Sequence, residues 1–209
     1  MKHRFSFNLL ILALAVLHPS GLQAAHVIAD GPDKVTPLAA GVAAPGGVVL
    51  GADGPFDLGK LLAHKPTILV FYSSSGSRLG HRALSDLRDG FPIYDSLGFQ
   101  VLAISADAPE NLRAAVEKNR INYPLLSDQD LALASSYGIA FRAPKELVSS
   151  SAKQGISLPV IPGGDGAAGL LVPTVFVIDR NGIIRWVYSN PHRNPTRTQI
   201  VAAAVRAMK

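Results

Sequence analysis

Ile68-Leu69-Val70-Phe71-Tyr72-Ser73-Ser74-Ser75-Gly76-Ser77-Arg78-Leu79-Gly80-His81-Arg82 decides the fold. The run Ile68 to Tyr72 is continuous, apolar and rich in β-formers, which is the pattern of a central parallel strand covered on both faces. Small polar residues then break it, and a helical pattern begins. Either Ser75 or Ser77 can cap that helix. The loop therefore sits between the carboxyl end of a buried strand and the positive end of a helix, where α/β proteins usually keep their chemistry.

Working outward, the helix carries Leu79, Leu84, Leu87 and Phe91 at roughly helical spacing, and Gly90-Phe91-Pro92 is expected to kink or split it. Phe99 to Ser105 reads as the next parallel strand. Asp107 is placed to cap a helix opened by Pro109 and running to Asn119. Tyr123 to Asp128 reads as a short strand, followed by a helix from Gln129 to Tyr137 that Gly138 closes. This is βαβ alternation. Upstream, Val48-Val49-Leu50 and Phe56-Asp57-Leu58 flank a glycine-containing turn, predicting a small hairpin over residues 45–57. A short helix over Leu58 to Ala63 then leads to Lys65-Pro66 and the central strand.

Phe141 to Leu171 breaks the alternation with prolines, glycines and a serine run, so it reads as an insertion with about one helical turn near Pro144 to Ala152. Beyond it, two β-runs in Val172 to Tyr188 meet around Asn181-Gly182, a strong hairpin signal. Thr196 to Met208 predicts a final helix with Ile200, Val201, Ala204 and Val205 on one face.

The chain has 209 residues and no cysteine. That excludes disulfides, thiol catalysis, thiolate metal sites and thiol–disulfide exchange together. Residues 1–24 pair Lys2 and Arg4 with an apolar run from Leu9 to Leu17 and small residues up to Ala24, which is the pattern of a secretory signal peptide. The expectation is an exported protein, periplasmic or secreted, with no membrane span. Without that segment the 20 Lys and Arg fall to 18 against 15 Asp and Glu, a net +3. No basic stripe is interleaved with aromatics, so nucleic acid is not an expected partner. Residues 25–44 read as an extended, poorly ordered arm, and 45–209 as one domain with the insertion at 141–171. No metal-ligand cluster and no cofactor motif appears, so neither is expected.

Phe71-Tyr72 at the end of such a strand, followed by a short loop and a helix, resembles the thioredoxin-fold peroxiredoxins, in the peroxiredoxin-like branch of the alkyl hydroperoxide reductase/thiol-specific antioxidant (AhpC/TSA) family. Phe141-Arg142-Ala143-Pro144 at the start of the insertion and Pro173 before the hairpin strengthen the likeness, which covers roughly residues 41–209. It implies a thioredoxin-like α/β fold, a central mixed sheet flanked by helices with a peroxiredoxin-like insertion before the final hairpin. It further implies that Pro173 is cis and faces the active loop. The branch's two loop cysteines would fall on Ser77 and Gly80. In peroxiredoxins proper, a Pro, a Thr or Ser and the attacking Cys would fall on Ser73, Ser77 and Gly80, so only the hydroxyl at Ser77 is kept.

A serine hydroxyl cannot replace the thiolate that attacks a hydroperoxide, because it is far less acidic and cannot cycle through sulfenic acid. Gly80 reads as drift after loss of the cysteine, or as room for a ligand or partner backbone, drift being the simpler. A serine hydrolase lacks its Gly-x-Ser-x-Gly elbow, and His64, His81 and His192 are scattered. The expectation is a degenerate, non-catalytic member that binds a protein or peptide partner through Ser75, Arg78, His81, Arg82, Pro173 and Thr174. Two alternatives stand beside it. One is an antioxidant oxidoreductase that reduces hydroperoxides by a non-thiol route or with a partner's thiol. The other is small-anion binding where Arg78, His81 and Arg82 crowd the helix start.

Overall fold

The run from Thr67 to Phe71 forms a strand buried at every position, and the rest of the chain packs on its two faces. The computed structural model describes residues 28–52, 54–161 and 166–209. The expected signal peptide lies outside the described residues. The elements are β1 (Val48–Gly51), β2 (Gly54–Asp57), α1 (Leu58–His64), β3 (Thr67–Phe71), α2 (Arg78–Ser96), β4 (Gln100–Ser105), α3 (Pro109–Asn119) and β5 (Leu125–Ser127). They continue with α4 (Ala132–Ser136), β6 (Ala140–Arg142), α5 (Lys145–Lys153), β7 (Gly169–Leu171), β8 (Thr174–Ile178), β9 (Ile184–Ser189) and α6 (Arg197–Ala207).

Among the described residues, seven strands form one mixed sheet in the order β2-β1-β5-β4-β3-β8-β9, and β6 and β7 pair separately. β4 lies parallel to both β3 and β5, whereas β8 runs antiparallel to β3. Successive side chains of a strand point to opposite faces, which explains the unbroken apolar run. Ile68, Val70 and Tyr72 pack with α2, α3 and α6, while Leu69 and Phe71 pack on the other side with α1, α4 and the aromatic pair Tyr137 and Phe176. Each fully buried large apolar side chain contributes roughly 1.5–3 kcal/mol.

Three sequence expectations are corrected. Pro92 does not split α2, which runs unbroken from Arg78 to Ser96. The proline removes only the bond to the Arg88 carbonyl, and Leu87 and Tyr94 on either side of it bury against the same sheet face. Asp107 does not cap α3: Ala108 holds the cap position and makes no side-chain bond. Pro173 is not cis, since no cis peptide occurs among the described residues. Between β7 and β8, Val172 N–H donates to the Ile139 carbonyl and Asn190 N–H to the Pro173 carbonyl.

From Ile28 the arm is laid down on the domain, with a 3-10 turn over Pro32–Lys34. Arg142 N–H donates to the Ala29 carbonyl, Leu38 N–H to Tyr137, and Gly41 and Ala44 N–H to Ile184 and Gly182. The insertion contributes the β6–β7 pair and α5, of whose residues only Ser151 is buried.

The hairpin between β8 and β9 is held by one carboxylate. Asp179 is 4% exposed and accepts from Asn181 N–H (2.8 Å), Ile183 N–H (3.0 Å) and Arg185 Nε (2.6 Å). Gly182 supplies the left-handed turn at φ +73. Burial alone would raise the Asp179 pKa, yet the Ile183 N–H, Arg185 and the Asn181 N–H outweigh it and hold the group below the ordinary aspartate value. Its stabilisation is therefore present above about pH 4 and is lost as pH falls below the unfolded value. Asp179→Ala is expected to cost about 2–3 kcal/mol, read as a lower urea midpoint at unchanged slope.

Candidate functional site

At the carboxyl end of β3 the chain enters Ser73 to Ser77 and then α2, so the loop lies where the sequence placed it. Ser77, not Ser75, is the N-cap: its Oγ accepts from Gly80 N–H at 2.9 Å, while its own proton goes to the Ser74 carbonyl at 2.9 Å. With that proton committed, Ser73 donates to Ser77 Oγ at 2.8 Å. Ser75 does something else. Its N–H donates to Asp107 Oδ2 at 2.8 Å, across from the turn between β4 and α3. The Asp107 N–H in turn donates to Ser105 Oγ.

These bonds fold the loop back over the first turn of α2, and the consequence falls on Gly80. A Cβ at that position would overlap the Ser74 carbonyl oxygen outright, with the carbonyl carbon at 2.8 Å and Ser77 Oγ at 3.0 Å. The chain's own backbone fills the space a side chain at 80 would need. Gly80 is required by this loop path, which replaces the reading of it as drift.

Among the described residues no general base meets the Ser77 hydroxyl. Ser77 Oγ is committed to Ser73, Ser74 and Gly80, and neither a histidine nor a carboxylate meets it. Tyr72, just below, is 1% exposed, and among the described residues its hydroxyl lies beside Ser105 without a well-formed hydrogen bond. Burial holds that phenol well above its ordinary range, the Ser105 hydroxyl offsetting a part and the Asp107 charge adding to it, so it stays protonated at neutral pH. Among the described residues no group of three or more His, Asp and Glu could hold a metal ion.

The other sequence-derived site residues divide into two groups. Arg78, His81 and Arg82 are exposed on the first turns of α2, and Arg82 makes a solvent-facing pair with Asp86 at 3.7 Å. Pro173 and Thr174 are buried. The Thr174 hydroxyl donates to the Val172 carbonyl and pairs with Ser189 Oγ, both at 2.9 Å, which leaves it nothing to offer a ligand. Pro173 lines a void of about 20 Å³ with Ala83, Asp86 and Leu87 of α2, so it faces the helix flank. Sequence reasoning missed Ser74, Asp107 and Asn194, whose Nδ2 donates to the Leu79 carbonyl at 3.1 Å. Asp107 carried a usable signal, because it follows the strand beside β3 at the same carboxyl edge. Asp107→Ala should speed hydrogen exchange of the Ser75 amide by about tenfold or more, corresponding to about 1.4 kcal/mol of lost local protection. Unchanged exchange would show that the Asp107 bond does not hold the loop.

A mixed sheet with α2 and α6 on one face and α1 and α4 on the other, and the loop over residues 73–77 between β3 and α2, is a thioredoxin-like α/β fold. The family model for the AhpC/TSA family matches residues 40–187, and the chain belongs to that family. It is 32% identical over 105 residues to a Haemophilus influenzae protein named as peroxiredoxin bcp, covering 50% of this chain and 68% of that protein. It is 25% identical over 126 residues to a chloroplastic peroxiredoxin Q of Suaeda salsa, covering 60% of this chain and 48% of the plant protein. Among solved structures, peroxidoxin BcpB from Mycobacterium tuberculosis aligns with a TM-score of 0.64 at 22% identity, covering 81% of this chain and 97% of that one. Peroxiredoxin Q of Xanthomonas campestris aligns at 0.61 with 16% identity, covering 78% and 91%. At these identities the structural likeness speaks for the fold.

Proposed function

We propose that this protein is an exported AhpC/TSA-family member that does not work as a thiol peroxidase and acts by binding a protein or peptide partner. Its contact surface is the former active-site face, from Ser75 through Arg78, His81 and Arg82. One observation carries the reading: at Gly80, where the resemblance puts the attacking cysteine, there is no side chain, and the Ser74 carbonyl lies in the space one would take. The absence of any cysteine along the chain supports it, as does the lack, among the described residues, of a base on the Ser77 hydroxyl. A hydroxyl without a base is neither a nucleophile nor a redox couple.

The purified chain is expected to consume neither hydrogen peroxide nor an alkyl hydroperoxide above the rate of excess dithiol alone. Turnover above that blank would overturn the binding reading in favour of a non-thiol oxidoreductase. Export is tested separately: the N-terminal residue of the protein recovered outside the cytoplasm should be Ala25, following cleavage after Ala24.

A further inference from the structure

The hydrogen bond from Asn194 Nδ2 to the Leu79 carbonyl, 3.1 Å long, ties the segment between β9 and α6 to the first turn of α2. An arginine stands next to each partner: Arg78 precedes Leu79, and Arg193 precedes Asn194. The bond therefore brings two basic segments, far apart in sequence, onto one surface. Arg78, His81 and Arg82 lie on one side, His192 and Arg193 on the other, and all five are exposed.

Little local charge opposes them. Asp86 pairs with Arg82 at 3.7 Å, the arginine largely and the carboxylate about half in solvent, where such a pair is weak. Arg193 Nε donates to the Tyr188 hydroxyl at 3.2 Å rather than to a carboxylate. Asp107 is turned toward the Ser75 amide. The result is a cationic face beside Tyr188 and Trp186, whose rings stack on each other at 6.1 Å and leave β9 half-buried there.

We infer that this face binds an acidic, extended segment of a protein partner. The inference rests on the binding reading above and names the partner's chemistry. Cations spread over two elements match a chain of carboxylates better than one small anion, which would meet only one or two of them. Arginine is suited to the task because its planar fork takes a carboxylate with two parallel hydrogen bonds. Trp186 and Tyr188 are stacked on one another, which argues against an open platform for nucleic-acid bases.

The test uses the full chain and a fluorescein-labelled decaglutamate peptide, followed by fluorescence anisotropy at low and moderate salt. Saturable binding is expected, weaker at higher salt. Arg78→Glu/Arg193→Glu should reduce affinity at least tenfold, while the charge-matched Lys145→Glu/Lys153→Glu on α5 changes it less than twofold. Equal weakening by both double variants, or the absence of saturable binding, would overturn the inference. So would tighter binding of a ten-nucleotide single-stranded DNA. Equal binding of an uncharged glycine-serine peptide that Arg78→Glu/Arg193→Glu still weakens would remove the acidic class and leave the binding reading in place. Peroxide turnover by the same samples would instead bring down the binding reading itself, whatever the peptide does.

Discussion

Gly80→Cys is expected to consume no hydroperoxide and to be less stable than the wild type by about 2–4 kcal/mol. Returning the thiol to the position the resemblance assigns it does not return the site, because the Ser74 carbonyl already occupies that volume. Gly80→Ala isolates the steric part. On propensity alone, alanine in a helix should gain about 1 kcal/mol over glycine. Here the added methyl group must displace backbone, and the Ser74 carbonyl cannot move without disturbing its bonds to Ser77 Oγ and Ser77 N–H, or the neighbouring Ser75 bond to Asp107. Overpacking of this kind usually costs about 1–3 kcal/mol, and lost loop bonds add to it. Urea unfolding of wild type, Gly80→Ala and Gly80→Cys provides the measurement. A Gly80→Ala variant more stable than wild type would mean that the loop relaxes freely and that self-occupation is not what keeps the site closed. A Gly80→Cys variant that turns over peroxide would show a closed loop able to open.

Much of this architecture was legible in the sequence because it depends on period and punctuation. Ile68 to Tyr72 reads as a strand covered on both faces, and its alternate residues do divide between two cores. Thr196 with Gln199 forms a capping box at the start of α6, where the sequence placed the last helix. The misses arose where a local rule met a distant partner. Asp107 sits where a helix cap is expected, but its carboxylate finds an amide 32 positions earlier in the chain, at Ser75. Pro92 breaks one helical bond, yet packing on both sides of it holds α2 together. Thr174 looked available as a polar residue near the site, although the two antiparallel strands β8 and β9 bury its hydroxyl between them. The loop's closure over Gly80 depends on where the Ser74 carbonyl points, and no residue type encodes that direction.

Asp128 should give the protein a stability that falls as pH rises from about 4 to about 6. The residue follows β5 directly, is 3% exposed, and lines an open cleft of about 760 Å³ with Val48, Leu50 and Leu133. Its oxygens accept from Leu133 N–H at 2.9 Å and Ala134 N–H at 2.7 Å, holding the start of α4. Burial pushes its pKa up to about 6; the Ala134 and Leu133 N–H groups offset a part, and the Asp130 charge adds to the rise. A folded value above the unfolded one means that, between the two, the folded chain keeps a proton the unfolded chain has released. Stability is then highest below the unfolded value and declines through the window, by up to about 3 kcal/mol for a two-unit difference. Asp128→Asn keeps one acceptor and cannot ionise. It should be less stable than wild type by about 1–2 kcal/mol near pH 4.5, with the gap closing or reversing by pH 7.5. Asp128→Ala leaves two buried N–H groups without an acceptor and should cost about 2–4 kcal/mol near pH 4.5. Asp57 and Asp179, both held below the ordinary aspartate value, titrate in more acidic solution and are common to all three proteins, so they cancel in the comparison. Urea midpoints taken across this pH range decide the matter. A gap between wild type and Asp128→Asn that does not change with pH would show that Asp128 ionises as it does in the unfolded chain.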